Sequence, residues 1–467
     1  MNDDNTPEVG TDGLKAAMDH AVTPSGLLTC LEHLLSSRTT DGGSKEQAAV
    51  MVWGAMGIGK TDVVRSVGKL WGMRIVALHL PQFDPTDIKG IPVKMEDDKV
   101  VWVPSSYLPQ FVTRRITESK TAETIDFHWP AADGVMVHVR KDGKTVGRFN
   151  DQMNGDLNKL ELNVEINEGE VTVSGKDLQG LEIEVVDKAI IFLDELSAAV
   201  PEVQNAALQL VLDRRVGEYD VPPFTPIVAA GNRESDAAFV SPMSAPLCNR
   251  FVHLRLVPSL DDWLEWAMLN RVHHEILGYL QWKKSGRLFQ FNADSMTEGD
   301  CGFPTPRSWS KLSEQMHGIH RLPKAVQDSI ITGFVGKAVG HEFIQYREVC
   351  ELLPSTDDIL QGKNVEISDA LDVGAKYGLA TALCYAIKEY FDKYYDESIS
   401  DVEKQPDEWR TATKAFCNFI DQHLGREMTV LCVHIVSKHL GISFTTFRGT
   451  EFQGFAKKYR TILRKTV

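Results

Sequence analysis

The chain has 467 residues, 43% hydrophobic and 25% charged, with a formal net charge of −15. That length suits roughly two to four globular units, and the composition excludes a low-complexity or fibrous chain. The acidity argues against a broad, non-specific nucleic-acid surface, and no apolar run approaches the roughly 18 residues of a membrane span.

The opening stretch, "MNDDNTPEVGTDG", is acidic and polar, the opposite of a signal peptide. Residues 1–20 are expected to form a disordered tail, and the expected location is the cytoplasm. "TPSGLLTCLEHLLSS" repeats apolar residues at three- and four-residue spacing and predicts a capped helix. "AAVMVW" predicts a buried strand. "GAMGIGKT" follows it and leads into a predicted helix, "TDVVRSVGKLWG". "RIVALHL" predicts a second strand, and "PQFDPTDIKGIP" a loop rich in proline and aspartate.

Residues Thr113 to Val186 read differently. "GVMVHVRKDGKTVGRF" alternates apolar and polar positions around "KDGK", a hairpin signal. "KLELNVEINEGEVTVSG" repeats the pattern and turns at Asn167 to Gly169. "KAIIFLDEL" then returns to a buried strand. From about Pro258 the pattern is mostly helical, most clearly in "ALDVGAKYGLATALCYAIKEYFDKYY" and "TATKAFCNFIDQHL". The seven cysteines are scattered, odd in number and without a CxxC pair; buried free thiols in a reducing compartment are expected.

The chemistry begins with Gly54, which with Gly59, Lys60 and Thr61 fits the phosphate-binding pattern GxxxxGK[ST]. Glycines let successive backbone N–H groups curl around phosphate oxygens without a Cβ clash. The helix beginning near Lys60 aims its positive end at the same anion. Lys60 adds charge, and the Thr61 hydroxyl can ligate magnesium. The predicted nucleotide contacts are Gly54, Gly57, Ile58, Gly59, Lys60, Thr61, Asp62 and Asp194. Asp194 ends the run "AIIFLD" and, with Thr61, can organise Mg2+. Glu195, beside it, suits a base that polarises water. "FTPIVAAGNRE" predicts a buried strand ending before Asn232, whose amide can orient that water. The bland alternatives are a glycine turn, a strand end with a solvated acid and an asparagine turn.

In this order the elements resemble an AAA+ ATPase. "FDPTDIKGIP" (Phe83 to Pro92), "VVWVPSSYLP", "LDELSAAVPEVQNAALQLVLDRRVGEY", "PIVAAGNRESD", "LCNRFVHLRL" and "FPTPRSWSKLSE" resemble the MoxR-type ATPases of bacteria and their phages. The resemblance covers residues 45–111 and 188–320, about 200 residues. One departure is visible: Met56 stands where that family usually has proline. The resemblance implies an α/β fold, a P-loop core whose parallel sheet is flanked by helices. To it are added an inserted β unit, a helical lid and a helical C-terminal extension. The boundaries expected are 21–111 and 188–258 for the core, 112–187 for the insertion, 259–345 for the lid and 346–467 for the extension.

The resemblance further implies that Arg250 is an arginine finger reaching a neighbour's nucleotide, and that Arg307 is the sensor-2 arginine of the lid. It implies ATP and Mg2+ as cofactors and a homo-oligomer, a hexameric ring. It also implies a von Willebrand A-domain partner and a protein client remodelled or matured at the expense of ATP. Two hairpins, "IPVKMEDDKVVWVP" and "DRRVGEYDVPPF", would face a pore or partner, with Arg214, Arg215 and Tyr219 as candidate contacts and a solvated turn as the alternative. Asp84 and Asp87 match a family loop, with capping of a following turn as the plain reading, and Arg233 is read as a structural ion-pair residue, with reach to a neighbour's nucleotide as the alternative. His273 and His274 are adjacent on a predicted helix and are not expected to chelate together, and Trp263 and Trp266 are expected to pack the lid. The competing function is a nucleic-acid motor or loader of McrB-like or helicase type. Neither nucleic acid nor membrane is the favoured partner.

Overall fold

The computed structural model describes residues 21–35, 47–94, 100–103, 108–109, 111–115, 123–128, 135–141, 144–150, 153–154, 162–167, 170–175, 181–217, 219–222, 225–233, 241–291, 302–365, 372–399, 401–447 and 455–459. The expected tail 1–20, the turn residues 142–143 and 168–169, and Cys301 lie outside the described residues. The chain divides into two units, Met1–Val257 and Pro258–Val467.

The first unit is built on strands β1 (Ala21–Val22), β2 (Ala49–Trp53), β3 (Arg74–His79), β14 (Ala189–Asp194), β17 (Ile227–Gly231) and β18 (Phe251–Leu256). They form one parallel sheet in the order β1-β18-β2-β17-β14-β3. Val50, Met51 and Val52 of β2 and Ile190 to Leu193 of β14 are fully buried, so both faces of the sheet are covered. That is why these strands read as continuous apolar runs rather than alternating ones. Helices α1 (Pro24–Leu35), α2 (Lys60–Trp71), α3 (Pro85–Lys89), α4 (Pro201–Leu212) and α5 (Ala245–Cys248) complete this layer. In α1 the buried residues are Leu27, Leu31 and Leu35, one helical stripe. The architecture is the α/β one expected above, a parallel sheet flanked by helices.

Between β3 and β14 lie the added strands. β4 (Ile91–Lys94) and β5 (Val100–Val103), among the described residues, pair only with each other, as an antiparallel ribbon. The inserted β unit follows: β6 (Phe111–Arg115), β7 (Glu123–His128), β8 (Val135–Lys141), β9 (Lys144–Asn150), β10 (Met153–Asn154), β11 (Leu162–Asn167), β12 (Glu170–Gly175) and β13 (Leu181–Asp187). It makes two antiparallel sheets, β10-β9-β8-β13-β6 and β11-β12-β7. Both expected hairpins are there, β8 against β9 with a bulge after Val139 and β11 against β12. One detail departs from the alternating pattern. Val137 and Val139 are buried as expected, but His138 between them is buried too. Its Nδ1 lies 3.6 Å from Oε2 of Glu184, directly across on β13, so the second face is also covered.

The second unit is helical, as the sequence pattern predicts. It comprises α6 (Leu260–Leu269), α7 (His274–Lys283), α8 (Pro306–Met316), α9 (Lys324–Val335), α10 (Lys337–Cys350), α11 (Thr356–Leu360), α12 (Val373–Tyr394), α13 (Asp407–Phe419) and α14 (Gly425–His434). Its buried side chains form one cluster running from Trp263 to Tyr459, and α10 runs straight through position 346. "TATKAFCNFIDQHL" is not one uniform helix: α13 loosens into a π turn at Ile420–Leu424, and Gly425 at φ 80° starts α14. Trp409 is fully buried against Phe391, Tyr395 and Phe447. Trp409→Ala is expected to destabilise this unit by about 3–5 kcal/mol. Chemical denaturation monitored by circular dichroism checks it; an unchanged midpoint would contradict the packing.

Candidate functional site

Parallel strands gather their carboxyl ends on one edge of a sheet, where ligands of α/β folds bind. Here β17 lies between β2 and β14, so three chain segments leave that edge side by side. They carry Gly54, Asp194 and Asn232, one residue past β2, the last of β14 and one past β17.

The loop from Gly54 to Gly59 leaves β2 beside the end of β17. Gly54 N–H donates to the Gly231 carbonyl at 3.2 Å. Ile58 is buried and anchors the loop. Gly59, capping α2, has φ 93° and ψ 21°, a left-handed conformation that a side chain would strain. Helix α2 starts at Lys60, so its unpaired first-turn N–H groups open toward the loop. The Lys60 ammonium reaches back across it. It donates to the Gly54 carbonyl (2.6 Å), the Ala55 carbonyl (3.1 Å) and Asn232 Oδ1 (2.6 Å). Thr61 is the second residue of the helix. The Asp62 side chain turns outward, 3.6 Å from Arg65.

The acidic pair comes from β14. Asp194 Oδ1 accepts a hydrogen bond from the Glu195 N–H at 3.1 Å. Glu195 has φ 55° and ψ 38°. A left-handed non-glycine residue costs of order 1–3 kcal/mol and persists where surrounding structure holds it. Sequence reasoning missed His79. Its Nδ1 lies 4.0 Å from Asp194 Oδ2 and its Nε2 3.8 Å from Glu195 Oε2. No local pattern marks it: His79 ends β3, the neighbour of β14, and only the strand register sets it beside Asp194. Ser197 was also missed. Its buried hydroxyl donates to the Asn232 carbonyl (3.0 Å) and accepts from the Asn232 N–H (3.1 Å).

The structure thus brings the glycine loop, Lys60, Asp194, Glu195 and Asn232 to one edge. Arg250 is elsewhere. It is exposed in the turn between α5 and β18, one residue before Phe251. Phe251 pairs with Ala49, the first residue of β2. Arg250 therefore sits at the amino end of the sheet, a strand length of about 15 Å from the loop. Arg307, in the second unit, is exposed in the first turn of α8, whose Thr305–Ser308 cap is reciprocal.

The other candidates divide. Arg214 donates to the carbonyls of Pro222 (3.3 Å) and Thr225 (2.6 Å). Tyr219 is buried, its hydroxyl donating to the Pro109 carbonyl at 2.7 Å, and burial raises its pKa. These two side chains hold the hairpin of β15 (Arg215–Val216) and β16 (Tyr219–Asp220) in place, while Arg215 stays exposed beside Asp220. Asp84 caps α3, its N–H donating to Asp87 Oδ2 at 2.8 Å, the plain capping role. Arg233 directly follows Asn232 and is half-buried.

In the second unit, Trp263 packs in the core while Trp266 is largely exposed. His273 precedes α7 as its N-cap rather than lying on the helix, so its ring stacks on His274 at 4.6 Å instead of diverging. Burial pushes His273 down to about 3. Among the described residues no group of His, Cys, Asp and Glu side chains is arranged to hold a metal by itself, and no helix is long and apolar enough to cross a membrane. The described cysteines are free thiols, but only Cys384, Cys417 and Cys432 are buried as expected, while Cys30, Cys248 and Cys350 are half-buried.

No protein-family model matches the sequence, and no curated protein matches it. Among solved structures, the chain is similar to a RuvB variant of Thermotoga maritima. The identity is 13%, covering 73% of this chain and 77% of that one, with a TM-score of 0.32. It is also similar to NtrX from Brucella abortus, at 12% identity over 92% of this chain and 70% of that one, with a TM-score of 0.30. Likenesses this distant carry no functional argument; the site's own geometry does.

Proposed function

We propose that the chain is an AAA+ ATPase that binds ATP with Mg2+ and hydrolyses it. The observation that carries this is the meeting of Lys60 Nζ with Asn232 Oδ1 at 2.6 Å. Residues 172 positions apart come together on the edge where Asp194 and Glu195 also stand. A chance glycine turn has no reason to recruit that asparagine.

The donor set fits a nucleotide triphosphate. The loop N–H groups and Lys60 are cationic or polar donors facing one concave turn, which suits anionic oxygens. Thr61 Oγ and Asp194 are hard oxygen ligands of the kind magnesium takes. Bound ATP with its metal would supply a phosphoanhydride and a Lewis acid. The chain's own residues then divide the work. Lys60 neutralises phosphate charge, Glu195 polarises water, and Asn232 orients it.

Arg250 lies at the wrong end of its own sheet to reach its own loop. Its role as a finger therefore requires a second copy, and the working form proposed is a homo-oligomeric ring, a hexamer. The sequence resemblance carries the rest of the reading: MoxR-type, chaperone-like remodelling or maturation of a protein client beside a von Willebrand A-domain partner. Glu195→Gln is the test. The variant is expected to bind ATP within about twofold of the wild type and to lose about 100-fold in turnover. Turnover equal to the wild type would sink the assignment of the base. Strong, salt-sensitive stimulation of wild-type turnover by DNA would instead favour a nucleic-acid motor.

A further inference from the structure

The segment just after the acidic pair bears on turnover, given the hydrolysis reading above. The turn Leu196–Ala198 follows Glu195 directly. Inside it, Ser197 is 1% exposed and makes both backbone hydrogen bonds of Asn232 with one hydroxyl. The pair is close on its other side too. A Cβ on Gly231, the residue before Asn232, would stand 2.7 Å from Ser197 Oγ and 2.6 Å from Met51 Cε.

The turn itself is held by Gln204 of α4. Its buried amide N–H2 donates to the carbonyls of Ala199 (3.2 Å), Leu196 (3.4 Å) and Ser241 (3.4 Å). The Ser197 carbonyl in turn accepts from the Ser241 N–H at 2.7 Å. A buried network whose members satisfy one another fixes geometry more firmly than isolated contacts do.

We propose that Ser197 is a positioning residue for turnover, fastening the asparagine that orients water to the turn that carries the base. Glu195 sits two residues before Ser197, and Asn232 is bonded to Ser197 at both its N–H and its C=O. Neither group can then shift without the other. Catalytic geometry tolerates little displacement, because a misplacement of about 1 Å can cost about 100-fold in rate. Of the three Lys60 contacts only the one to Asn232 runs through a residue that Ser197 holds, and the Gly54 and Ala55 carbonyls keep the ammonium over the loop, so nucleotide affinity is expected to change far less than turnover.

The experiment measures steady-state ATP hydrolysis and fluorescent-nucleotide binding on the purified full chain. The variants are Ser197→Ala, Ser197→Thr and Gly231→Ala, with thermal unfolding followed for each. Ser197→Ala is expected to lower kcat by about tenfold or more with nucleotide Kd within about twofold of the wild type. Ser197→Thr, which keeps the hydroxyl, is expected to recover most of the loss. Gly231→Ala, pressing on the hydroxyl from the other strand, is expected to repeat the kcat defect. Wild-type kcat in Ser197→Ala overturns the proposal. So does a parallel fall in affinity and kcat, which marks a merely structural role. If Ser197→Ala fails to fold, Ser197→Thr and Gly231→Ala decide: wild-type kcat in Gly231→Ala, or no recovery in a folded Ser197→Thr, overturns it. A wild-type chain that binds ATP and never hydrolyses it overturns the hydrolysis reading itself, a separate result.

Discussion

Lys60→Ala is expected to abolish measurable nucleotide binding and with it all turnover. The ammonium bridges the loop, touching the Gly54 and Ala55 carbonyls and Asn232 Oδ1. A charge-assisted hydrogen bond is worth about 1.5–3 kcal/mol. Losing two such bonds to phosphate removes about 4 kcal/mol, roughly a 1,000-fold weaker Kd. The loop would also lose the strap that ties its two carbonyls to β17. Titration with a fluorescent ATP analogue reads the effect, beside thermal unfolding to show the fold intact. Near-normal affinity in a folded Lys60→Ala protein would mean that the glycine loop is not the nucleotide site.

Arg250→Ala is expected to leave nucleotide binding intact and to lower turnover by about 1,000-fold or more, the scale on which arginine fingers act. The reason is its position. Phe251 pairs with Ala49 at the start of β2, so Arg250 stands at the opposite end of the sheet from Gly54. A guanidinium there serves a loop in another copy or none. This yields a sharper test than the single mutant. Mixing Arg250→Ala with Lys60→Ala chains creates junctions where an intact loop meets an intact arginine, and turnover should partly return. Two inactive variants that stay inactive when mixed and shown to co-assemble would remove Arg250 from the shared site.

The part of this site legible in the sequence was the part encoded locally. GxxxxGK[ST] is a contiguous pattern because one loop and one helix end make the whole phosphate cradle. "AIIFLDEL" was legible because burial on both sheet faces forces a continuous apolar run. Asn232 was legible from the strand that ends before it. His79 and Ser197 were not, because nothing local marks them. His79 matters only through the register that sets it opposite Asp194. Ser197 matters only through a bond to a residue 35 positions away.

Tyr219 shows the reverse error in kind. It sits in an exposed-looking hairpin, and its neighbours Arg215 and Asp220 are solvated, yet its hydroxyl finds the Pro109 carbonyl 110 positions away. Pattern alone does not say whether an amphipathic side chain will meet solvent or a distant backbone group. His138 belongs with it. Alternation assigned its face to solvent, yet His138 and the Glu184 opposite it are both buried.

The inserted unit begins and ends at neighbouring points: Phe111 of β6 pairs with Val186 of β13. Only Lys188 separates β13 from the strand of the acidic pair, and the junction is fastened by Arg74, which binds Asp187 at 3.0 Å and the Lys188 carbonyl at 2.9 Å. Two ends about 5 Å apart are what a genome needs to splice a module in or out at a single locus while the surrounding sheet keeps its path. A short link between Phe111 and Val186 would close the chain across the missing module without redirecting the strand that carries the acidic pair.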